Sequence, residues 1–319
     1  MASLTTEVHR LLAASVSDNT QRIYQAGTAA YRRFCNNWHI SQTPATVQGL
    51  CLFVASLSMA GLTADTAQVY LAAVRNAHLR LGLDTTIFCN PRLIAIVQGL
   101  RRSQLRGTAA KLPMMLSQLH LCQRRLLTAK DRAFQDRQMV WTAIATAYFG
   151  LLRVGEYTSP TPTAFNPGQT LLRSDVWRDG QTFILRLRMS KTDQLRVGTD
   201  VVIGSTGNHL CPVSALVAYM GNTSNLARDA PFFQFASGRF LTPRDVNREL
   251  ARIAGPSVRS HSLRSGGATC LAEIGAPTWQ LQEAGEVAQQ RVLPLHQAAQ
   301  LCKGRVARED GPSRTGATR

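Results

Sequence analysis

The sequence predicts a mainly helical protein in two parts: an N-terminal four-helix domain, then an α+β domain with a small three-stranded antiparallel sheet. Three observations lead there. Apolar residues recur at three- and four-residue spacing from Asn19 to Gln104, with no alternating stretch. Alternation enters between residues 171 and 204, where Asp179-Gly180 gives a two-residue hairpin signal. Helical periodicity then returns in three segments between residues 211 and 276.

NTQRIYQAGTAAYRRFC (19–35) is the first helix, with Ile23, Ala26, Ala30 and Phe34 as its inward face. ATVQGLCLFVASLSMAG (45–61) reads as almost wholly buried. Thr63 or Asp65 caps a third helix whose stripe is Val69, Leu71, Val74 and Leu79, and Gly82 ends it. Pro91 opens PRLIAIVQGLRRSQLR, which finishes in a basic cluster, Arg101, Arg102 and Arg106. Residues 1–106 thus form a helical domain, and the small, Pro-terminated stretch GTAAKLP (107–113) reads as a linker. Beyond it, SQLHLCQRRLLTA and DRQMVWTAIATAYFGLLRVGEYT are helical. LLRSDVWRDGQTFILRLRMSK supplies two strands and residues 196–204 a third. CPVSALVAYM, TPRDVNRELARIAG and HSLRSGGATCLAEIGA complete the helices. The tail is charged, Gly/Pro-bearing and reads as disordered.

The 319 residues carry 36 Lys plus Arg against 19 Asp plus Glu, a formal charge of +17. Such a surplus predicts a polyanionic partner or an acidic membrane surface, and nucleic acid is the first candidate. Only Lys111, Lys130, Lys191 and Lys303 are lysines, and arginine is the side chain whose planar fork grips phosphate. A coding sequence biased toward arginine codons would give the same excess on the surface. Seven scattered cysteines without a C-x-x-C pair point to a reducing, intracellular setting with thiols as core filler. No hydrophobic signal core and no apolar run near 18 residues is present, so no membrane partner is expected. The seven histidines lack metal-ligand spacing, so neither metal nor cofactor is expected.

Three stretches carry chemistry. AYFGLLRVGEYT places Arg153 at the end of an otherwise apolar helix, where a charge is costly unless something anionic meets it. LRMSKTDQ sets Lys191 on a hairpin tip, and HSLRSGGAT puts His261 and Arg264 on one face at a helix start. Singly, these read as a buried pair with Glu156, a solvated turn, and a capping histidine beside a surface arginine. Together they suggest a pocket around one phosphodiester. Two guanidiniums bind the non-bridging oxygens and the extra charge of a pentacoordinate transition state. A lysine protonates the leaving oxygen and a histidine handles the nucleophile's proton.

On GLLRVGEYT, SKTDQ and HSLRSGGAT, in that order and spacing, the chain resembles the tyrosine recombinase (phage-integrase-like) family, especially its transposon-borne eukaryotic branch. The likeness spans residues 19 to about 285. It implies a core-binding (SAM-like) domain over 1–106, a recombinase catalytic domain over 114–285, and an aberrant tail over 286–319. It also implies a clamp on double-stranded DNA, phosphotyrosyl-linked breakage and rejoining in a homotetramer, and location in the nucleus of a eukaryotic host. By that resemblance Arg153, Lys191, His261 and Arg264 activate the phosphate and Glu156 orders the arginine. The basic cluster Arg101, Arg102 and Arg106 is expected to contact DNA. Ser265 stands where many relatives carry another histidine.

The departure at the C-terminal end is larger. The family places its nucleophilic tyrosine seven residues after a glycine that matches Gly285, and position 292 here is valine. Residues 286 to 301 contain no Ser, Thr or Tyr, and the last tyrosine is Tyr219 in a core-like helix. Read one nucleotide later from Glu286, permitted codons give Arg-Trp and then a tyrosine straddling Val292 and Leu293. That motivates a frameshift hypothesis, with a truly diverged terminus as its alternative. The chain as written is expected to bind duplex DNA without cutting it, or to be the unfolded product of a decayed gene.

Overall fold

The computed structural model describes residues 2–104, 112–189 and 198–273. It divides into two compact units, Met1–Ala109 and Ala110–Arg319.

The first unit is helical: α1 (Ala2–Ala14), α2 (Asp18–Trp38), α3 (Val47–Met59), α4 (Ala64–Arg80) and α5 (Pro91–Ser103), with a 3₁₀ turn at Thr86–Cys89. Its core is built from α2 to α5 and is centred on Tyr31, Phe34, Phe53, Leu50, Val54 and Leu93. The Tyr31 and Phe53 rings meet edge to face at 5.1 Å, a contact that adds about 1 kcal/mol beyond area burial. The expected four-helix plan holds for this core, and α1 is an added fifth helix whose Leu4, Val8 and Leu11 stay exposed.

Three inward faces differ from the expected ones. In α2 the buried line is Gly27, Tyr31, Phe34 and Cys35, while Ile23 and Ala26 face solvent. α3 buries one side only, and Met59 is 90% exposed. In α4 the expected Val69 and Leu79 are exposed, and His78 takes the buried place. His78 Nε2 accepts from the Ala45 amide at 2.9 Å and Nδ1 lies 2.9 Å from the Val74 carbonyl. Its ring satisfies backbone groups a hydrocarbon would leave unpaired, so a polar residue wins the core position. Thr63 is the cap of α4, accepting from the Thr66 amide at 3.2 Å.

The second unit contains α6 (Leu116–Thr128), α7 (Phe134–Phe149), α8 (Val154–Tyr157), β1 (Val176–Asp179), β2 (Thr182–Leu187), β3 (Thr199–Ile203), α9 (Pro212–Asn222), α10 (Pro243–Ala254) and α11 (Ser260–Glu273). From Met139 to Phe149 α7 is buried all round, as a helix at the centre of a domain must be. α6, α9 and α11 pack against it. The sheet order is β1-β2-β3, antiparallel throughout. Alternation sends Phe183, Leu185 and Leu187 of β2 inward beside Val201 and Ile203 of β3. The hairpin sits one residue later than expected: Asp179 pairs with Thr182, and Gly180 with φ +55° starts the connection. Tyr219 is core, as expected, its hydroxyl donating to the Phe232 carbonyl at 2.8 Å.

α10 shows how tightly this unit uses its acids. Asp245 accepts from the hydroxyl and amide of Thr242, from Arg239 at 2.8 Å and from Arg248 at 2.9 Å. Burial pushes its carboxyl upward, but the hydrogen bonds from Arg239 and Thr242 outweigh it and hold the group below the usual carboxylate range. The folded state therefore binds this proton less tightly than the unfolded chain. The stability Asp245 contributes is complete above the unfolded value of about 3.9 and is lost as pH falls through the lower folded value. Asp245→Asn is expected to flatten that acid limb, as read from denaturant midpoints between about pH 5 and about pH 2.

Candidate active site

The site begins where α7 stops. The apolar helix does not run on to Arg153, as the sequence suggested, because Leu151 turns left-handed with φ +49°. Leu152 donates back to the Ala147 carbonyl at 3.0 Å and Leu151 to that of Tyr148 at 3.4 Å, the pattern that closes a helix on a left-handed residue. Glycine ordinarily fills such a place. A leucine there costs on the order of 1–2 kcal/mol, and burial of its side chain offsets that cost.

The reversal lets Arg153 head the short helix α8. Its amide donates to Glu156 Oε2 at 2.8 Å and its guanidinium to Oε1 at 3.0 Å. The Glu156 side chain is 4% exposed and that of Arg153 26%. A carboxylate so buried is stabilised by both the amide and the cation, and in turn it holds the guanidinium in place. The buried Arg153–Glu156 pair and the phosphate-binding reading of this stretch are thus compatible: the acid holds the arginine in place.

α11 brings the second arginine to the same turn. Gly266 and Gly267 are buried, and a Cβ at either would collide with backbone, 2.0 Å from the Met114 carbonyl oxygen and 2.4 Å from that of Tyr148. Hydrogen at Gly267 lets α11 lie against the end of α7, and hydrogen at Gly266 lets it lie against the Met114 backbone ahead of α6. That approach allows Arg264 Nη1 to donate to the carbonyl of Leu151, two residues ahead of Arg153. Arg264 is therefore anchored on a carbonyl two residues from Arg153. His261 lies exposed in the first turn of the same helix, and Ser265 returns its hydroxyl to the His261 carbonyl at 3.1 Å.

Lys191, Arg106 and Val292 lie outside the described residues, as do most of the 107–113 stretch and the whole of 286–319. The root of the Lys191 segment is described. At the end of β2, Arg188 grips buried Asp175 with two bonds, Nε to Oδ2 at 2.8 Å and Nη2 to Oδ1 at 2.7 Å. The Asp175 carboxylate raises the Arg188 pKa further. In the first unit Arg101 is engaged by Asp65 at 2.8 Å and Gln68 at 3.0 Å, whereas Arg102 is exposed. Sequence reading missed Leu151, Asp175 and Arg188. The first has no signal short of its backbone angle, and the other two are an Arg and an Asp thirteen positions apart.

Known proteins place this architecture. No profile of a known protein family matches the chain. A lambda integrase dimer bound to a COC′ core site aligns with a TM-score of 0.56 at 13% identity, covering 100% of this chain and 80% of that one. The chain has the lambda-integrase fold. A Tn1549 transposon integrase variant in complex with transposon right end DNA aligns at 0.58 and 14% identity, covering 95% and 98%. The XerH site-specific recombinase bound to its difH substrate aligns at 0.54 and 13%, covering 96% and 84%. In sequence, an integrase of Mycobacterium phage FRAT1 is 31% identical over 124 residues, 34% of this chain and 36% of the phage protein. The chain thus spans about a third of that relative's length. The likeness is one of fold to these solved structures and of sequence to part of one phage integrase. The expected fold, mainly helical with a three-stranded antiparallel sheet, is the one observed.

Proposed function

We propose that this protein is a site-specific recombinase-like, DNA-binding integrase, of the transposon-borne eukaryotic branch that its motifs resemble, working inside the cell and on nuclear DNA. The observation that carries the reading is the bond from Arg264 to the Leu151 carbonyl, which sets a second guanidinium beside the Arg153–Glu156 pair. Two forks on one edge suit the two non-bridging oxygens of a phosphodiester. In this reading Arg153 and Arg264 hold the phosphate, Glu156 orders Arg153, Lys191 serves the leaving oxygen and His261 the nucleophile's proton. Arg101, Arg102 and Arg106 add contacts to the duplex backbone from the first unit. The chemistry described here uses only side chains of the protein. Homotetramer formation on DNA goes with the family reading.

Val292 at the nucleophile's expected place favours a second, narrower form of this reading for the polypeptide as written: capture of a phosphate that nothing attacks. Purified chain is expected to bind duplex DNA with affinity that falls steeply as salt rises, and to form no covalent adduct on a nicked suicide substrate. An adduct would overturn the non-cutting form, and salt-independent or absent binding would overturn the DNA-binding reading itself. For the gene, we attribute the valine to a frame change near Gly285 to Glu286. Transcript sequence over codons 280 to 300 tests it, since a Val292 codon without adenine in its third place cannot yield tyrosine in the shifted frame.

A further inference from the structure

His120 on α6 and His209 on the loop between β3 and α9 bring their rings to 4.4 Å, centre to centre, with planes 53° apart. Both residues are exposed, and neither belongs to the site described above. The arrangement is held in place. Gln123, one turn along α6 from His120, donates from Nε2 to the His209 carbonyl. Asn208 accepts from the Leu210 amide at 2.9 Å and from the Thr206 hydroxyl at 3.0 Å, so the loop is pinned on both sides of His209.

The spacing has a chemical meaning. A metal ion lies about 2.0–2.1 Å from a ligating ring nitrogen, hence about 3.2 Å from the ring centre. Two rings sharing one ion have centres about 4.5 Å apart at a right angle and about 5.2 Å apart at a tetrahedral one. The observed 4.4 Å matches the right-angle spacing for two rings that each turn a nitrogen to one ion, the preference of square-planar and tetragonal ions. We propose that His120 and His209 form a two-imidazole site for a divalent ion of right-angle ligand geometry, of the Ni²⁺ and Cu²⁺ class. Water completes the coordination, since no group of three or more metal-binding side chains exists among the described residues. Arg124, next to Gln123 on α6, is the nearby charge in sequence that opposes a cation. The bound ion would fasten the β3–α9 loop to α6.

The test is calorimetric titration of the full, untagged chain with Ni²⁺, chosen over Cu²⁺ because the exposed thiol of Cys89 reduces copper. One ion is expected to bind, at least about tenfold more weakly in His120→Ala and in His209→Ala, and unchanged in His39→Ala. Ni²⁺ should also raise the unfolding temperature of the wild type and of His39→Ala only. Absence of Ni²⁺ binding, or binding that survives the double substitution, overturns the site. Zn²⁺ binding tighter than Ni²⁺ overturns its right-angle geometry.

Discussion

Gly266→Ala is expected to lower the stability of the second unit by about 3 kcal/mol or more, seen as a denaturant midpoint shifted down at unchanged slope. The sign is diagnostic. In an ordinary helix interior the same change raises stability by up to about 1 kcal/mol. Here the new methyl group would stand 2.0 Å from the Met114 carbonyl oxygen, and with 2.8 Å and 2.9 Å to the carbonyl carbon and nitrogen of the same residue it meets backbone that cannot swing aside. α11 would have to lift from the Met114 segment, parting the bond from the Met114 amide to the Ser262 carbonyl and disturbing that from Arg264 to Leu151. Duplex binding should weaken together with stability, and a Gly266→Ala protein with a wild-type midpoint contradicts this packing of α11.

The second large effect is expected at Arg153. Arg153→Ala leaves Glu156, almost wholly buried, with the backbone amide but without the cation 3.0 Å away. Removal of one partner of such a pair costs about 3 kcal/mol. Arg153→Ala combined with Glu156→Gln should recover part of that loss, because the stranded charge goes too. DNA affinity separates the two roles of the arginine. The double variant should regain stability and not binding, whereas Arg153→Lys, with one point charge for a fork, should bind more weakly than wild type. Recovery of binding in the double variant would falsify the assignment of Arg153 to the phosphate.

Much of the architecture was legible because it depends on period. The α2 to α5 bundle, the three strands and the helices after them follow from spacing of apolar residues, which local geometry enforces. Faces were read less well. Val69 and Leu79, expected to face inward in α4, are exposed, and His78 is buried there because its ring accepts from the Ala45 amide, far away in sequence. The hairpin shifted by one residue because Gly180, rather than the Asp179-Gly180 pair, supplies the positive φ. At the site, Arg153, Glu156, His261 and Arg264 stood out by residue type and spacing. What joins them did not: Leu151 adopts its angle under tertiary force, and a hydrophobic letter gives no sign that its carbonyl will hold an arginine.

One backbone bond sets the order of events at the ribosome. The Met114 amide donates to the Ser262 carbonyl at 2.9 Å, so the opening residues of the second unit are completed by its last described helix. Closing so long a span is slow, and α7 must wait for α11 before its surface is covered. A premature stop before codon 262 therefore leaves an exposed, aggregation-prone intermediate rather than a smaller domain.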